Sequence, residues 1–257
     1  VAISIVEQDS TFIHGDTLLV TGIPEKRIVR TYHNVKIFKS DLQGKCDSIH
    51  TDQASGITKM FKDPVLWSDG NQITGDTIHL LSDVVTEKLD SLKVLHNAFI
   101  VSKDSLSLND FNQIKGRNMF GKFLKNKLNN LLVKGNAESV YYNRNEETDS
   151  IETITKEISS NIEFTLKKGQ ITTIKYLKTS EGKTYPPSLF PEEDRILKGF
   201  VWRENEQPKT KESIFRKDNN KKPPQKSDKE VLKPLLINDP KINDLKKNRT
   251  ATSYNKD

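Results

Sequence analysis

Cysteine occurs once in the 257 residues, at Cys46, so an intrachain disulfide is impossible and a Cys₂ or Cys₄ zinc site is excluded. Core-building residues are scarce as well: 33% of the chain is hydrophobic and 7% aromatic, against 30% charged. That balance predicts thin layers with much surface, together with a disordered part. No apolar run approaches the roughly 18 residues that span a bilayer as a helix. The five histidines (His14, His33, His50, His79, His96) make no H-x-x-x-H pair, so neither a metal nor another cofactor is expected. Helical periodicity is almost absent before residue 185. The chain opens at Val1 without methionine and without an n-region or h-region, so a processed product or a fragment is expected.

The net charge of +6 is unevenly placed. Residues 203–257 carry 15 Lys+Arg against 9 Asp+Glu, whereas residues 1–202 carry 26 of each. The basic pI therefore describes a tail on a neutral body and gives no reason to expect a nucleic-acid partner. The stretch KDNNKKPPQKSDK at the centre of that tail is rich in Lys, Asn and Pro, and residues 209–257 are expected to be a disordered basic tail.

One stretch, GNQITGDTIHLL (70–81), is a near match to a phosphate loop: Gly70, Gly75 and Thr77 fit G-x-x-x-x-G-K-[ST], but Asp76 replaces the lysine. A carboxylate there repels phosphate, and the β-branched run that follows is not a helix start. The same aspartate instead marks a repeat. Asp76-Thr77-Ile78-His79 aligns with Asp47-Ser48-Ile49-His50 and with Asp16-Thr17-Leu18. Downstream, Asn118-Met119-Phe120 and Ser160-Asn161-Ile162 fall in the same columns. The anchors 16, 47, 76, 118 and 160 are spaced by 31, 29, 42 and 42 residues. Two positions after each anchor stands an apolar residue: Leu18, Ile49, Ile78, Phe120, Ile162. Four after come Val20, Thr51, Leu80, Lys122 and Phe164. This alternation predicts half-buried strands with one apolar face.

A second landmark follows 16 to 21 residues after each of the first four anchors, a polar residue before a strand, at Asn34, Asp63, Asn97 and Asn136. In the strands after it, Val65, Trp67, Phe99 and Val101 share one face, but Leu66 and Ile100 make the other face apolar too, and the pattern leaves open which is inside. Shorter strands are expected at GITKMF (56–61), KLDSLKVL (88–95) and KLNNLLV (127–133). Units of 30 to 40 residues are too thin to bury a core alone and must stack. The expectation is an elongated all-β stack, not a closed enzyme barrel, with open edges at both ends.

At these elements the sequence resembles the OstA/LptA family of lipopolysaccharide-transport proteins. DLQGKCDSIHTD, NQITGDTIHLL, NQIKGRNMFGKF and GNAESVYYN occur in the order of the Bacteroidota-type OstA-like proteins. YPPSLFPEEDRILKGFVWRENEQPK resembles the segment that closes their repeat region. The resemblance spans roughly residues 12–208. It implies a β-jellyroll or β-taco, two antiparallel sheets folded into a V-shaped trough over residues 1–185. It also implies a periplasmic location with outer-membrane association, and lipopolysaccharide or lipid A as ligand. Other transport components, or copies of itself, would be partners through edge-strand pairing. The trough-lining candidates are Leu18, Val20, Ile49, Ile78, Leu80, Phe120, Ile162 and Phe164, with Val65, Trp67, Phe99 and Val101 on the later strands.

The same apolar row can also be an ordinary sandwich core, which keeps a second reading open: a structural or adhesin-like β-solenoid that binds proteins and no lipid. An enzyme on a β-helix, such as a polysaccharide lyase, would want clustered charges in a cleft, and no such cluster or catalytic spacing emerges. His50 and His79 share a column pointing away from the apolar row and are expected to form a solvent-facing cross-strand pair. Asp16, Asp47 and Asp76 are expected to do turn chemistry and not to bind calcium. Residues 186–208 are expected to form a turn and a short helix or cap. There Phe190, Ile196, Leu197, Phe200, Val201 and Trp202 would cover the open edge of the last unit.

Overall fold

The computed structural model describes residues 2–216, apart from residues 7, 8, 105, 108, 126, 146, 168 and 169. The disordered tail expected over 209–257 lies outside the described residues from 217 onward. The described residues form fourteen strands: β1 (Ala2–Val6), β2 (Asp9–His14), β3 (Thr17–Thr21), β4 (Ile28–Phe38), β5 (Gln43–Asp52), β6 (Ile57–Phe61), β7 (Val65–Ser68), β8 (Asn71–Thr74), β9 (Thr77–Ser82), β10 (Leu89–Lys103), β11 (Phe111–Leu124), β12 (Lys127–Arg144), β13 (Ile151–Lys167) and β14 (Gln170–Tyr185). Among the described residues the only helical elements are five three-residue 3₁₀ turns, and no helix is long and apolar enough to cross a membrane. The fold is all-β.

All pairings are antiparallel. The main path runs β1-β2-β4-β5-β6-β9-β10-β11-β12-β13-β14. β3 joins β4, and β7 and β8 form a hairpin that bridges β5 to β10. The hydrogen-bonding circuit β5-β6-β9-β10-β8-β7 therefore returns to β5 and closes a six-stranded ring. This corrects the expectation of a stack with no closed barrel. Closure follows from bending: β5 gives one half to β6 and the other to β7, and β10 gives its halves to β9 and β8.

The bends sit on the second landmark. Asn34, Asp63, Asn97 and Asn136 all have left-handed backbone, with φ of 52°, 56°, 48° and 49°, and each follows a residue that is also left-handed. Asn and Asp accept this conformation more readily than other side chains, because they hydrogen-bond locally. The landmark thus marks a corner inside a rung, where the ladder registers shift at Tyr32/Val35, Leu95/Ala98 and Lys134/Ala137. The first landmark braces it. Asp16 accepts from Asn34 Nδ2 at 2.7 Å, and Asp76 from Asn97 Nδ2 at 3.0 and 3.2 Å. Asp47 contacts His33 Nδ1 at 3.1 Å and Lys62 Nζ at 3.3 Å. The hydrogen bond from His33 is the main cause of the lowered Asp47 pKa, acting against partial burial, with Lys62 adding to it.

Replacing Asn97 by valine puts a β-branched side chain at positive φ and removes the bond to Asp76. We expect a loss of about 2 kcal/mol in urea unfolding, with Asn97→Gly much milder. Equal costs for the two would contradict the strained-corner account.

Candidate functional site

The corners divide the rungs into two half-sheets whose inner faces pack on each other. In the first, the register links Leu18, Thr31, Ile49, Met60, Ile78, Val94, Met119, Val133, Ile162 and Tyr176 in one directly paired row across ten strands. Two residues along each strand, a parallel row holds Val20, Leu80, Leu92, Leu131, Phe164 and Ile174. The second half-sheet answers with Ile37, Leu66, Ile73, Ile100 and Ile114, which belong to the same buried cluster. Cys46 lies in that cluster, and burial pushes its thiol up to about 12. The seam is closed along most of its length. A void of about 10 Å³, bordered by Ile100, Ile114, Leu131 and Phe164, is no larger than one water.

Of the candidates from sequence, Leu18, Val20, Ile49, Ile78, Leu80, Ile162 and Phe164 stand on this inner face. Ile49, Ile78, Leu80, Ile162 and Phe164 are buried, whereas Val20 at the N-terminal end is 47% exposed. Phe120 stands on the outer face, paired with Lys93 and Leu132 and overlain by Lys134 Nζ at 5.3 Å. At the fourth anchor the strand is offset by one residue from the spacing in the sequence. Asn118 and Thr77 both pair with Leu95, so the position equivalent to Asp76 is Arg117, and the inward residue is Met119. A slip of one residue exchanges the two faces. The signal that places it is glycine: Gly15, Gly75 and Gly116 precede Asp16, Asp76 and Arg117. A methyl group at any of them would run into Thr31, Val94 or Val133 of the neighbouring rung.

Val65, Trp67, Phe99 and Val101 also lie away from the seam. Leu66 and Ile100 are the inner residues, and the opposite face of these strands is covered by residues 186–216. This segment, expected to cover the open edge of the last unit, starts on that unit, where Phe190 packs with Ile154 and Tyr185. It doubles back across the outside of the second half-sheet, from Phe190 beside Tyr185 (ring centroids 5.5 Å) to Phe215 beside His14 (5.0 Å). Between them, Leu197, Phe200 and Trp202 pack on Phe99, Val101, Phe111 and Val140.

Buried amides hold the strap. Gln72 donates to Val201 O and accepts from Arg203 N, both at 2.6 Å; Gln113 donates to Arg195 O at 2.6 Å and accepts from Leu197 N at 2.9 Å. Arg203 is buried against Asp63 and Glu206, and Lys45 also reaches Glu206 at 2.6 Å. Burial pushes the Glu206 carboxyl up, but bonds from Arg203 and Lys45 overcome this and leave it below its ordinary value. A cavity of about 460 Å³ lies on this outer side, between Trp67, Lys103, Trp202 and Gln207.

No family model and no curated protein matches the sequence. Among solved structures the chain is similar to LptH of Pseudomonas aeruginosa, described as the LptA-homologous periplasmic component of its lipopolysaccharide transport device. Identity is 14% and the TM-score 0.42, over 57% of this chain and 99% of that one. The likeness is a distant one.

The seam changes character toward β14. On the second half-sheet the inner row passes from Ile100 and Ile114 to Ser139, Glu157 and Gly182. Glu157 is buried and accepts from Ser180 Oγ, and a side chain at Gly182 would occupy the space of its carboxylate. The facing half-sheet keeps Phe164, Ile174 and Tyr176. Burial raises the Tyr176 hydroxyl pKa, and Glu157 pushes it the same way. Residues 178–184 of β14 are exposed on both faces. The C-terminal end of the seam is therefore open, with one apolar and one polar wall.

His50 and His79 are both on the outer face, but they are not paired with each other: Lys59 of β6 stands between them. Among the described residues no group of three or more His, Cys, Asp or Glu is placed to hold a metal ion.

Proposed function

We propose that this protein is a periplasmic lipid carrier that takes the acyl chains of lipopolysaccharide, or of its lipid A part, between its half-sheets and passes them toward the outer membrane, without catalysis. The observation that carries the reading is the inner row, which runs unbroken from β3 to β14 and reaches the surface at Leu18 and Tyr176. Each methylene withdrawn from water there contributes about 0.8 kcal/mol. Because the seam is filled, entry requires the half-sheets to part at β14, where the polar wall suits the glycan side of an amphiphile. Leu18, Val20, Ile49, Ile78, Leu80, Ile162 and Phe164 are the lining residues of this reading.

The test is photo-crosslinking with labelled lipopolysaccharide. Benzophenone side chains at Ile174 and Tyr176, facing the seam, should capture lipid; those at Thr173 and Lys175, facing outward, should not. Equal capture at both pairs would overturn the assignment.

The closed interior favours one other reading, a protein-binding β-structured module with no lipid. β14 pairs only with β13 among the described residues, so its free edge is open to strand addition by another copy or by other transport components. Protein purified natively and free of lipid, with no capture at Ile174, would support that alternative.

A further inference from the structure

Among the described residues no strap lies over the outer face of the first half-sheet, which carries an unusual row. Reading across β4, β5, β6, β9 and β10, the directly paired residues are Arg30, His50, Lys59, His79 and Lys93. Five cationic or titratable bases in succession span about 19 Å at the usual strand spacing. Like charges facing across strands destabilise a sheet, and His79 stands between two of the lysines. Burial lowers its pKa, and Lys59 and Lys93 on either side lower it further.

Several lysines on other parts of the sheet are paired with acids: Lys39 with Asp41, Lys45 with Glu206, Lys115 with Glu138, Lys156 with Asp194. Arg30, Lys59 and Lys93 have no acidic partner among the described residues; Arg30 reaches only the Thr21 hydroxyl, at 3.5 Å. Asp52, beside the row, is turned to Ser55 and to the Ala54 amide. The three fixed cations recur on every second strand, and each has an apolar neighbour two residues along on the same face: Tyr32, Phe61 and Leu95. A cation beside an aromatic or aliphatic side chain, repeated across a sheet face, suits an interface of phosphates over hydrocarbon.

We propose that this face docks on an anionic lipid surface, with Arg30, Lys59 and Lys93 on the headgroup phosphates and Tyr32, Phe61 and Leu95 at the headgroup boundary. The docking stands independently of whether the seam holds lipid, because the row is on the opposite face of the same strands.

The test is co-sedimentation of the full chain with phosphatidylcholine vesicles, with and without phosphatidylglycerol. Binding is expected to the anionic vesicles only and to weaken with salt. Lys59→Glu with Lys93→Glu should weaken it at least about thirtyfold. The same charge change at Lys167 and Lys183, exposed lysines off the row, should leave it within about threefold. The row variant removes like-charge neighbours, so its unfolding midpoint should not fall, which separates lost docking from lost folding. Binding retained in the row variant, equal loss in the control, equal binding to neutral vesicles, or no vesicle binding would each overturn the proposal.

Discussion

Phe164→Ala should lower the unfolding free energy by about 4 kcal/mol, whereas Phe120→Ala should cost about 1 kcal/mol or less. Both are phenylalanines on strands of the same half-sheet, and the repeat alone assigns them the same role. The register separates them. Phe164 is fully buried between Leu131 and Ile174 and borders the small void between the half-sheets, so truncation enlarges a cavity that the rigid ladders cannot collapse. Phe120 lies half-buried on the outer face under Lys134, where its loss removes one cation–π contact and opens no cavity. Urea denaturation of the two variants decides the matter. Equal costs would mean that β11 keeps the register suggested by Asn118, and that the inner row through Met119 is wrong.

Local chemistry explains why so much of the first half-sheet was legible in the sequence. The aspartates at 16, 47 and 76 recur because each braces a left-handed corner, and the corner needs Asn or Asp for its own backbone. Both signals lie within one rung and its neighbour, so they repeat in the sequence at the length of the unit. β11 misled because Asn118 imitates the chemistry of an anchor: its side chain does accept from the His96 amide, at 3.0 Å, from one position further on. Lys122, the one long polar residue in a column four after the anchor, marked the slip; the residue that belongs there is Gly121, between Leu92 and Leu131. Ring closure and the path of the strap were not legible, since both depend on contacts far apart in sequence. Gln72 and Gln113 look like ordinary strand polar residues until residues 195–203 lie over them. That is also why Val65, Trp67, Phe99 and Val101 looked like trough lining: a strand buried on both faces has no alternation to say which side is inside.

The strap should prove sensitive to a single proton at Gln113. Its amide donates to Arg195 O and accepts from Leu197 N, pairing with the strap as a peptide group would. Glutamate keeps the shape and the acceptor but has the donor only when protonated. At pH 7, Gln113→Glu therefore places a buried carboxylate against a carbonyl oxygen, and we expect a loss of about 3 kcal/mol. The sign of the pH dependence follows. Docking favours the neutral acid, so the folded-state pKa of this carboxyl lies above the unfolded value of about 4.3. Below that value the acid is neutral in both states and the variant approaches the stability of the parent. As pH rises from there the unfolded chain releases its proton first, and the difference grows until the folded-state pKa is passed. Gln113→Met, of similar size, loses both hydrogen bonds at every pH and should show a constant deficit. Trp202 packs on Phe111 at 5.3 Å, so strap release should also shift indole fluorescence along the same pH curve. A Gln113→Glu deficit that does not change with pH would mean that the amide does not donate to the strap, and that the apolar contacts of Leu197, Phe200 and Trp202 alone hold it in place.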